Sequence, residues 1–271
     1  MELPHGTIIA PRPITADLAE VSADADVIST SRKTAGLARL PEFRNLRRVW
    51  MSGADAHTVA LVCSLPGLRE LALNDYRGQD LSAVANAVHL ESLVVWHASK
   101  LASLTGIERL YSLRELIIGE LTRPLPLDAV TLLENLETLS IEGSMYRPLV
   151  VPSLQPLASL ARLQRLRIGV KVADRSLAPL RGLRRVRDVF IANGFPVEEF
   201  ARLAAAWPGV ESVSLAPVRP THLACQQCGG TTVLLTGGRG LKCVTCDAAA
   251  IQRHVVRFER ELKSAHVVRR G

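Results

Sequence analysis

The chain has 271 residues, of which 48% are hydrophobic, 22% charged and only 4% aromatic, values that exclude a disordered, collagenous or disulfide-rich small protein. Its net charge of +7 is unevenly spread, at −4 over residues 1–159, +7 over 160–190, −2 over 191–216 and +6 over 217–271. No apolar run approaches the roughly 18 residues of a membrane helix. The opening MELPHGTIIAPRP lacks a basic segment ahead of an apolar stretch, which predicts no secretory signal and a cytoplasmic location.

Residues 1–45 read as an N-terminal cap carrying a degenerate first repeat, in which Val27, Ile28, Leu37, Leu40 and Phe43 lead into Leu46. From there a six-residue pattern recurs: LRRVWM at Leu46, LRELAL at Leu68, LESLVV at Leu90 and LRELII at Leu113. It continues with LETLSI at Leu136, LQRLRI at Leu163, VRDVFI at Val186 and VESVSL at Val210. The steps are 22, 22, 23, 23, 27, 23 and 24 residues. A fixed period in this range is the mark of a solenoid, whose units bury their apolar faces only against neighbours. Apolar residues at positions one, four and six of each copy predict a short strand. Leucines three apart behind it, such as Leu101, Leu104, Ile107 and Leu110, suit a 3₁₀ turn with three residues per turn.

LxxLxL at this spacing resembles the leucine-rich-repeat family in its short bacterial, internalin-like variety, over roughly residues 26–217. The resemblance implies an α/β repeat solenoid: a horseshoe with a parallel concave sheet, about eight repeats of it over residues 46–217. The family's usual Asn, eight residues after the first leucine, is replaced by Tyr76, Ala98, Leu121, Ser144 and Lys171. Less regular turns are therefore expected, with a bulging loop near 148–156 where the step lengthens.

The resemblance also places positions three, five and seven of each copy on the concave face. Position three holds Arg48, Glu70, Ser92, Glu115, Thr138, Arg165, Asp188 and Ser212; position five holds Trp50, Ala72, Val94, Ile117, Ser140, Arg167, Phe190 and Ser214. Trp96 and Glu142 stand at position seven. Trp50, Val94, Trp96, Ile117 and Phe190 together predict an exposed apolar patch that binds a protein partner, with Arg165 and Arg167 beside it and Glu70 and Glu115 on its other half. The competing reading makes them cross-strand neighbours that stabilise the sheet, or has the N-terminal cap fold over Trp50. Nine basic residues between Arg162 and Arg187 form either a phosphate-binding surface or a solvated shell.

Residues 218–271 form a third segment of zinc ribbon and basic amphipathic helix. Cys225 and Cys228, then Cys243 and Cys246, are two C-x-x-C knuckles of the kind that hold one structural zinc ion. Two disulfides are the alternative, and would require an oxidising compartment. Between the knuckles, TTVLLTGGRGLK reads as a hairpin, and residues 222–250 resemble a zinc ribbon. Downstream, Ile251, Val255, Phe258 and Leu262 form a helical stripe opposite Arg253, Arg257, Arg260 and Lys263. Phosphate-binding, nucleotide-binding and hydrolase motifs are absent, and the seven histidines show no ligand spacing. The expected function is that of a non-enzymatic intracellular protein-interaction scaffold with one structural zinc ion, its ribbon serving as a cap or as a second binding module, and no small-molecule substrate. A nucleic-acid-associated adaptor using the ribbon and the arginine-rich surfaces is the alternative.

Overall fold

The computed structural model describes residues 13–144 and 149–268. Strands β1 (Val27–Ser31), β2 (Arg48–Ser52), β3 (Glu70–Asn74), β4 (Ser92–Trp96), β5 (Glu115–Leu121) and β6 (Thr138–Gly143) follow one another in a parallel sheet. A two-stranded sheet pairs β7 (Val150–Val151) with β9 (Lys171–Val172), while β8 (Arg165–Gly169) and β10 (Asp188–Ile191) complete the eight strands of the main sheet. The register aligns the repeat positions: Arg48 opposes Glu70, Glu70 opposes Ser92 and Ser92 opposes Glu115, with Trp50, Ala72, Val94 and Ile117 in a parallel row.

Alternation decides which side chains go inward. Leu71 and Leu73, Leu93 and Val95, Leu116 and Ile118, and Leu166 and Ile168 are all fully or almost fully buried behind the sheet. The return segments are 3₁₀ turns, for example Asp128–Leu132, Gln155–Ser159 and Ala178–Gly182. Pro156 and Pro179 open two of them, where a fixed φ helps and no backbone donor is lost. The leucines three apart, Leu154, Leu157, Leu160 and Leu163, are completely buried, so each turn closes the core of its own unit. Two units return instead through α-helices, α1 (Ala56–Cys63) and α2 (Val197–Ala206). Cys63 is buried in α1, and desolvation pushes its thiol up to about 12, as expected for a core residue.

The strand exits are more regular than the missing Asn suggests. Gly53, Asp75, His97 and Glu120 all have left-handed backbones, with φ between 53 and 72°. Gly53, Asp75 and His97 donate their N–H groups to the carbonyls of Asn74, Trp96 and Gly119 at 2.8, 2.9 and 3.1 Å, extending the ladder past the strand ends. Tyr76, Ala98 and Leu121 occupy the usual Asn position as buried side chains. Of the bulging loop, residues 145–148 lie outside the described residues, as do residues 1–12 of the N-terminal cap; after Leu149, Val150–Val151 form β7.

The copy at Val210 is a correction. It forms a short 3₁₀ turn, Val213–Leu215, and no ninth strand. Ser212 Oγ donates to the Val189 carbonyl at 2.6 Å and Ser214 Oγ accepts from the Ile191 N–H at 2.9 Å. Hydroxyls thus take the hydrogen bonds that another strand would have made, and Ser214 is fully buried instead of facing outward. The chain then enters an antiparallel ribbon of β11 (Val218–Ala224), β12 (Thr231–Leu235) and β13 (Leu241–Cys243), followed by α3 (Ala248–Val268).

Candidate binding face and metal centre

The ribbon brings the two knuckles together. The sulfurs of Cys225, Cys228, Cys243 and Cys246 all lie within 4.8 Å of one another, and Cys228 Sγ is 3.4 Å from Cys243 Sγ. Four thiolates about 2.3 Å from one tetrahedral ion lie roughly 3.8 Å apart, so this donor set fits zinc. Among the described residues no other group of His, Cys, Asp or Glu side chains is so placed. Backbone geometry prepares the site: the Cys225 N–H donates to Gly230 O and the Gly229 N–H to Cys225 O, each at 2.8 Å. Asp247 accepts from the Cys243 N–H at 2.9 Å and pairs with Lys242 at 3.4 Å. The backbone N–H of Cys246 pulls the Cys243 thiol down to about 6, while hydrogen bonds among the crowded sulfurs push Cys246 and Cys228 up, so without a cation the four do not all favour the thiolate.

The same module closes the open end of the solenoid. Arg219, on β11, is only 8% exposed and reaches back to the Ile191 carbonyl at 2.8 Å, the Ser214 carbonyl at 3.2 Å and Thr236 Oγ1 at 3.3 Å. Its guanidinium lies 5.1 Å above the Phe200 ring. No carboxylate pairs with it among the described residues, and burial pulls it down to about 10. Asn193 donates to the carbonyls of Leu235 and Gly238 and accepts from the Gly237 N–H. Gly237, at φ +74°, presses on the backbone at the start of α2, where a Cβ would collide with Val197. Along α3, Phe258 is 3% exposed within the main core and Leu262 packs against it, while Arg257 pairs with Glu198 and Glu261 with Arg202. The helix therefore turns its apolar stripe onto α2 and leaves Arg253, Arg260 and Lys263 exposed.

On the concave face the exposed apolar patch is corrected. Ala72, Val94, Trp96 and Ile117 form a second buried cluster, with Trp96 at 5% and Ile117 at 0% exposure, and Trp50 packs half-buried at its edge. The indole of Trp96 lies over Gly119, the neighbouring residue in register, where any Cβ would strike its six-membered ring. That close approach lets one large side chain cover the small ones beside it. Phe190 sits apart, under Arg167, whose guanidinium is 4.7 Å above its ring. Arg167 also pairs with Glu142 at 3.2 Å, and Arg165 Nε donates to Thr138 Oγ1 at 2.9 Å. The seven residues thus do not make one patch: Trp50, Val94, Trp96 and Ile117 are together, and Arg165, Arg167 and Phe190 occupy the far half.

Between Trp50 and Trp96 a cavity of about 270 Å³ remains open, bordered by Ser29, Ala72, Asn74 and His97. A His97 ring nitrogen, Nδ1, lies 3.0 Å from Asn74 Oδ1. Trp96 Nε1 is buried and has no hydrogen-bond partner among the described residues. Glu70, exposed on β3, is held above the usual carboxylate range by desolvation, opposed by Arg48 and reinforced by Glu115 and Glu91.

The arginine block is divided among surfaces. Arg165 and Arg167 are concave, whereas Arg181 pairs with Glu199 at 2.8 Å on the α2 side. Arg175 donates to the Gly194 carbonyl at 3.4 Å. Sequence reasoning missed Arg219, Asn193, Ser212 and Ser214 as closing residues; a basic residue between two prolines at 217–220 is the visible sign.

No family model and no curated protein matches the sequence. Solved structures do share the fold. An internalin, inlF, from Listeria monocytogenes superposes with a TM-score of 0.55 at 15% identity, covering 70% of this chain and 54% of its own. An internalin C2 from the same organism gives a TM-score of 0.41 at 17% identity, over 65% of this chain and 80% of its own. This chain thus spans about half the length of the inlF chain. The parallel sheet, its 22- to 27-residue period and the inlF likeness define a repeat solenoid. Its fold is that of the leucine-rich-repeat proteins. Among the described residues no helix is long and apolar enough to cross a membrane.

Proposed function

We propose that this protein is a non-catalytic, intracellular interaction scaffold that binds a protein partner on its concave sheet. In this reading residues 1–45 cap one end, 46–217 form the solenoid, and 218–271 form a ribbon and helix that close the other end around one structural zinc ion held by Cys225, Cys228, Cys243 and Cys246. Four cysteines complete a tetrahedral shell and leave no position for substrate. A reducing compartment keeps those thiols available to the metal.

The observation that carries the partner reading is the concave cluster: aromatic, edged by half-buried Trp50, open as a cavity and flanked by both charge signs. Desolvated aromatic anchors inside polar rims are the usual centres of protein interfaces. The test is photo-crosslinking in the source cell, with a photoreactive residue at position 74 or 190 on the concave side, or at the exposed Leu132 on the opposite side. One discrete adduct from position 74 or 190 and none from 132 is expected. Adducts from 132 alone, or from none of the three, overturn the reading.

A further inference from the structure

We infer that the strand-entry edge of the last two repeats, built by Arg162, Arg184, Arg185 and Arg187, binds an extended, acidic peptide segment of a protein partner. This face is separate from the aromatic cluster at Trp50 and Trp96 and adds a second contact to the proposed scaffold.

Charge pairing along the repeat rows carries it. At position two of the repeat, Arg69 meets Glu91 at 3.5 Å and Arg114 meets Glu137 at 2.8 Å, each across one strand step. The row then continues with Gln164 and Arg187, joined by the Arg187 N–H to the Gln164 carbonyl at 2.9 Å. A neutral amide stands where a carboxylate answered the guanidinium in the earlier copies. The residue just ahead of each copy changes in the same direction, from Gly67, Ser112 and Asn135 to Arg162 and Arg185. All four arginines of the edge are exposed, and among the described residues their side chains make no ion pair and no hydrogen bond. Asp188 and Glu211, the next acids along these rows, are exposed too and pair with none of them.

Geometry sets the ligand. Arg162 and Arg185 hold matching places ahead of β8 and β10, whose register sets Arg165 opposite Asp188, so their backbones lie about 4.8 Å apart. Arg185 and Arg187 are two residues apart where the chain enters β10. An extended peptide turns alternate side chains to one face, about 6.6 Å apart, so acidic residues at alternate positions meet successive guanidinium groups, each able to bind a carboxylate through two parallel N–H donors. Arg184 also borders a cavity of about 580 Å³ formed with α2 and α3. The other guanidinium groups there are already engaged, Arg181 with Glu199 at 2.8 Å and Arg202 with Glu199 at 3.6 Å and Glu261 at 3.5 Å. Arg184 is thus the uncommitted charge beside a recess on the scale of a side chain. Residues 162–187 contain no aromatic ring on which a base would stack, which favours a peptide over a nucleic acid strand.

The test is fluorescence anisotropy of labelled ligands with the full-length protein at low and physiological salt. The probes are a twelve-residue peptide of alternating Glu and Ser, its Gln/Ser counterpart, and single- and double-stranded DNA of similar length. The Glu peptide is expected to bind at low salt with a dissociation constant on the order of 0.1 mM, more weakly as salt screens the charges, and the Gln peptide to give no response. R162Q/R185Q/R187Q should weaken the Glu peptide at least five-fold. R39Q/R69Q/R114Q removes the same net charge from arginines already paired with Glu42, Glu91 and Glu137, and should weaken it less than two-fold. Surface changes of this kind leave the fold intact, which dispersed amide spectra of both variants would verify.

Equal losses in the two variants reduce the effect to net charge and overturn the inference, as does a Glu peptide that binds no better than the Gln peptide. Tighter binding of either DNA, lost in R162Q/R185Q/R187Q, assigns the edge to nucleic acid and overturns it too. Adducts from position 74 or 190 test the concave face separately, so either face can fail while the other stands.

Discussion

Arg219 Nη1 donates to the carbonyl of Ile191 across 2.8 Å, joining residues that lie 28 apart in the chain. Ile191 ends β10, the last strand of the parallel sheet, and an uncovered edge strand invites pairing with other chains. Ser212, Ser214 and Arg219 occupy its free hydrogen-bonding groups instead. Because β11 also leads directly into Cys225, one strand links the plug of the solenoid to the four-cysteine cluster.

Arg219→Met keeps most of the packing over Phe200 but strips the Ile191 and Ser214 carbonyls of their donor. Unsatisfied buried acceptors cost about 1–3 kcal/mol each, partly offset because the buried cation is gone. A net loss of about 2 kcal/mol in urea unfolding is expected, with faster amide exchange in β10. Unchanged stability and unchanged exchange would show that the plug contributes nothing.

Cys243→Ser removes one of the four clustered cysteines proposed to hold zinc. Protein purified without added zinc should carry about one equivalent of metal, and the variant far less. Loss of the ion should also loosen α3 from α2, seen as increased exchange at Phe258. A metal-free native protein with oxidised thiols would contradict the zinc assignment.

His254 sets a pH dependence. Its Nε2 lies 3.1 Å from the Pro217 carbonyl, and desolvation holds the ring below the ordinary value of 6.5. Between the lowered folded value and 6.5, the unfolded chain binds more protons than the folded one, so stability rises with pH there. Acidification from pH 7 to 5 should therefore lower the unfolding midpoint. His254→Gln, which can still donate to Pro217 without titrating, should lose less over the same interval.

Gly119→Ala places a methyl where the Trp96 ring now lies. Overpacking of this kind costs about 1–3 kcal/mol. The near-ultraviolet signal of the indole should change while the far-ultraviolet spectrum of the sheet is retained.

Glu120 holds a left-handed backbone at φ 54°, at the register irregularity between β5 and β6. Glu120→Gly relieves that conformation and is expected to stabilise the protein by up to about 1 kcal/mol. A lower melting temperature would refute this.

The repeat, the strand register and the four-cysteine group are all legible in the order of residues. The 22- to 27-residue period admits one way of stacking leucines behind a sheet, so Arg48, Glu70, Ser92 and Glu115 line up as their spacing predicts. Two knuckles at close spacing likewise need little beyond a hairpin to converge. How side chains treat their neighbours across strands emerges only in the folded chain. Position five or seven of a repeat says that Val94, Trp96 and Ile117 leave the main core; it does not say that a ring laid over Gly119 covers them. The copy at Val210 matches the pattern of a strand, yet two hydroxyls and a guanidinium completed β10 in its place. Periodicity records the direction in which a side chain leaves the backbone, whereas burial depends on what another part of the chain brings to meet it.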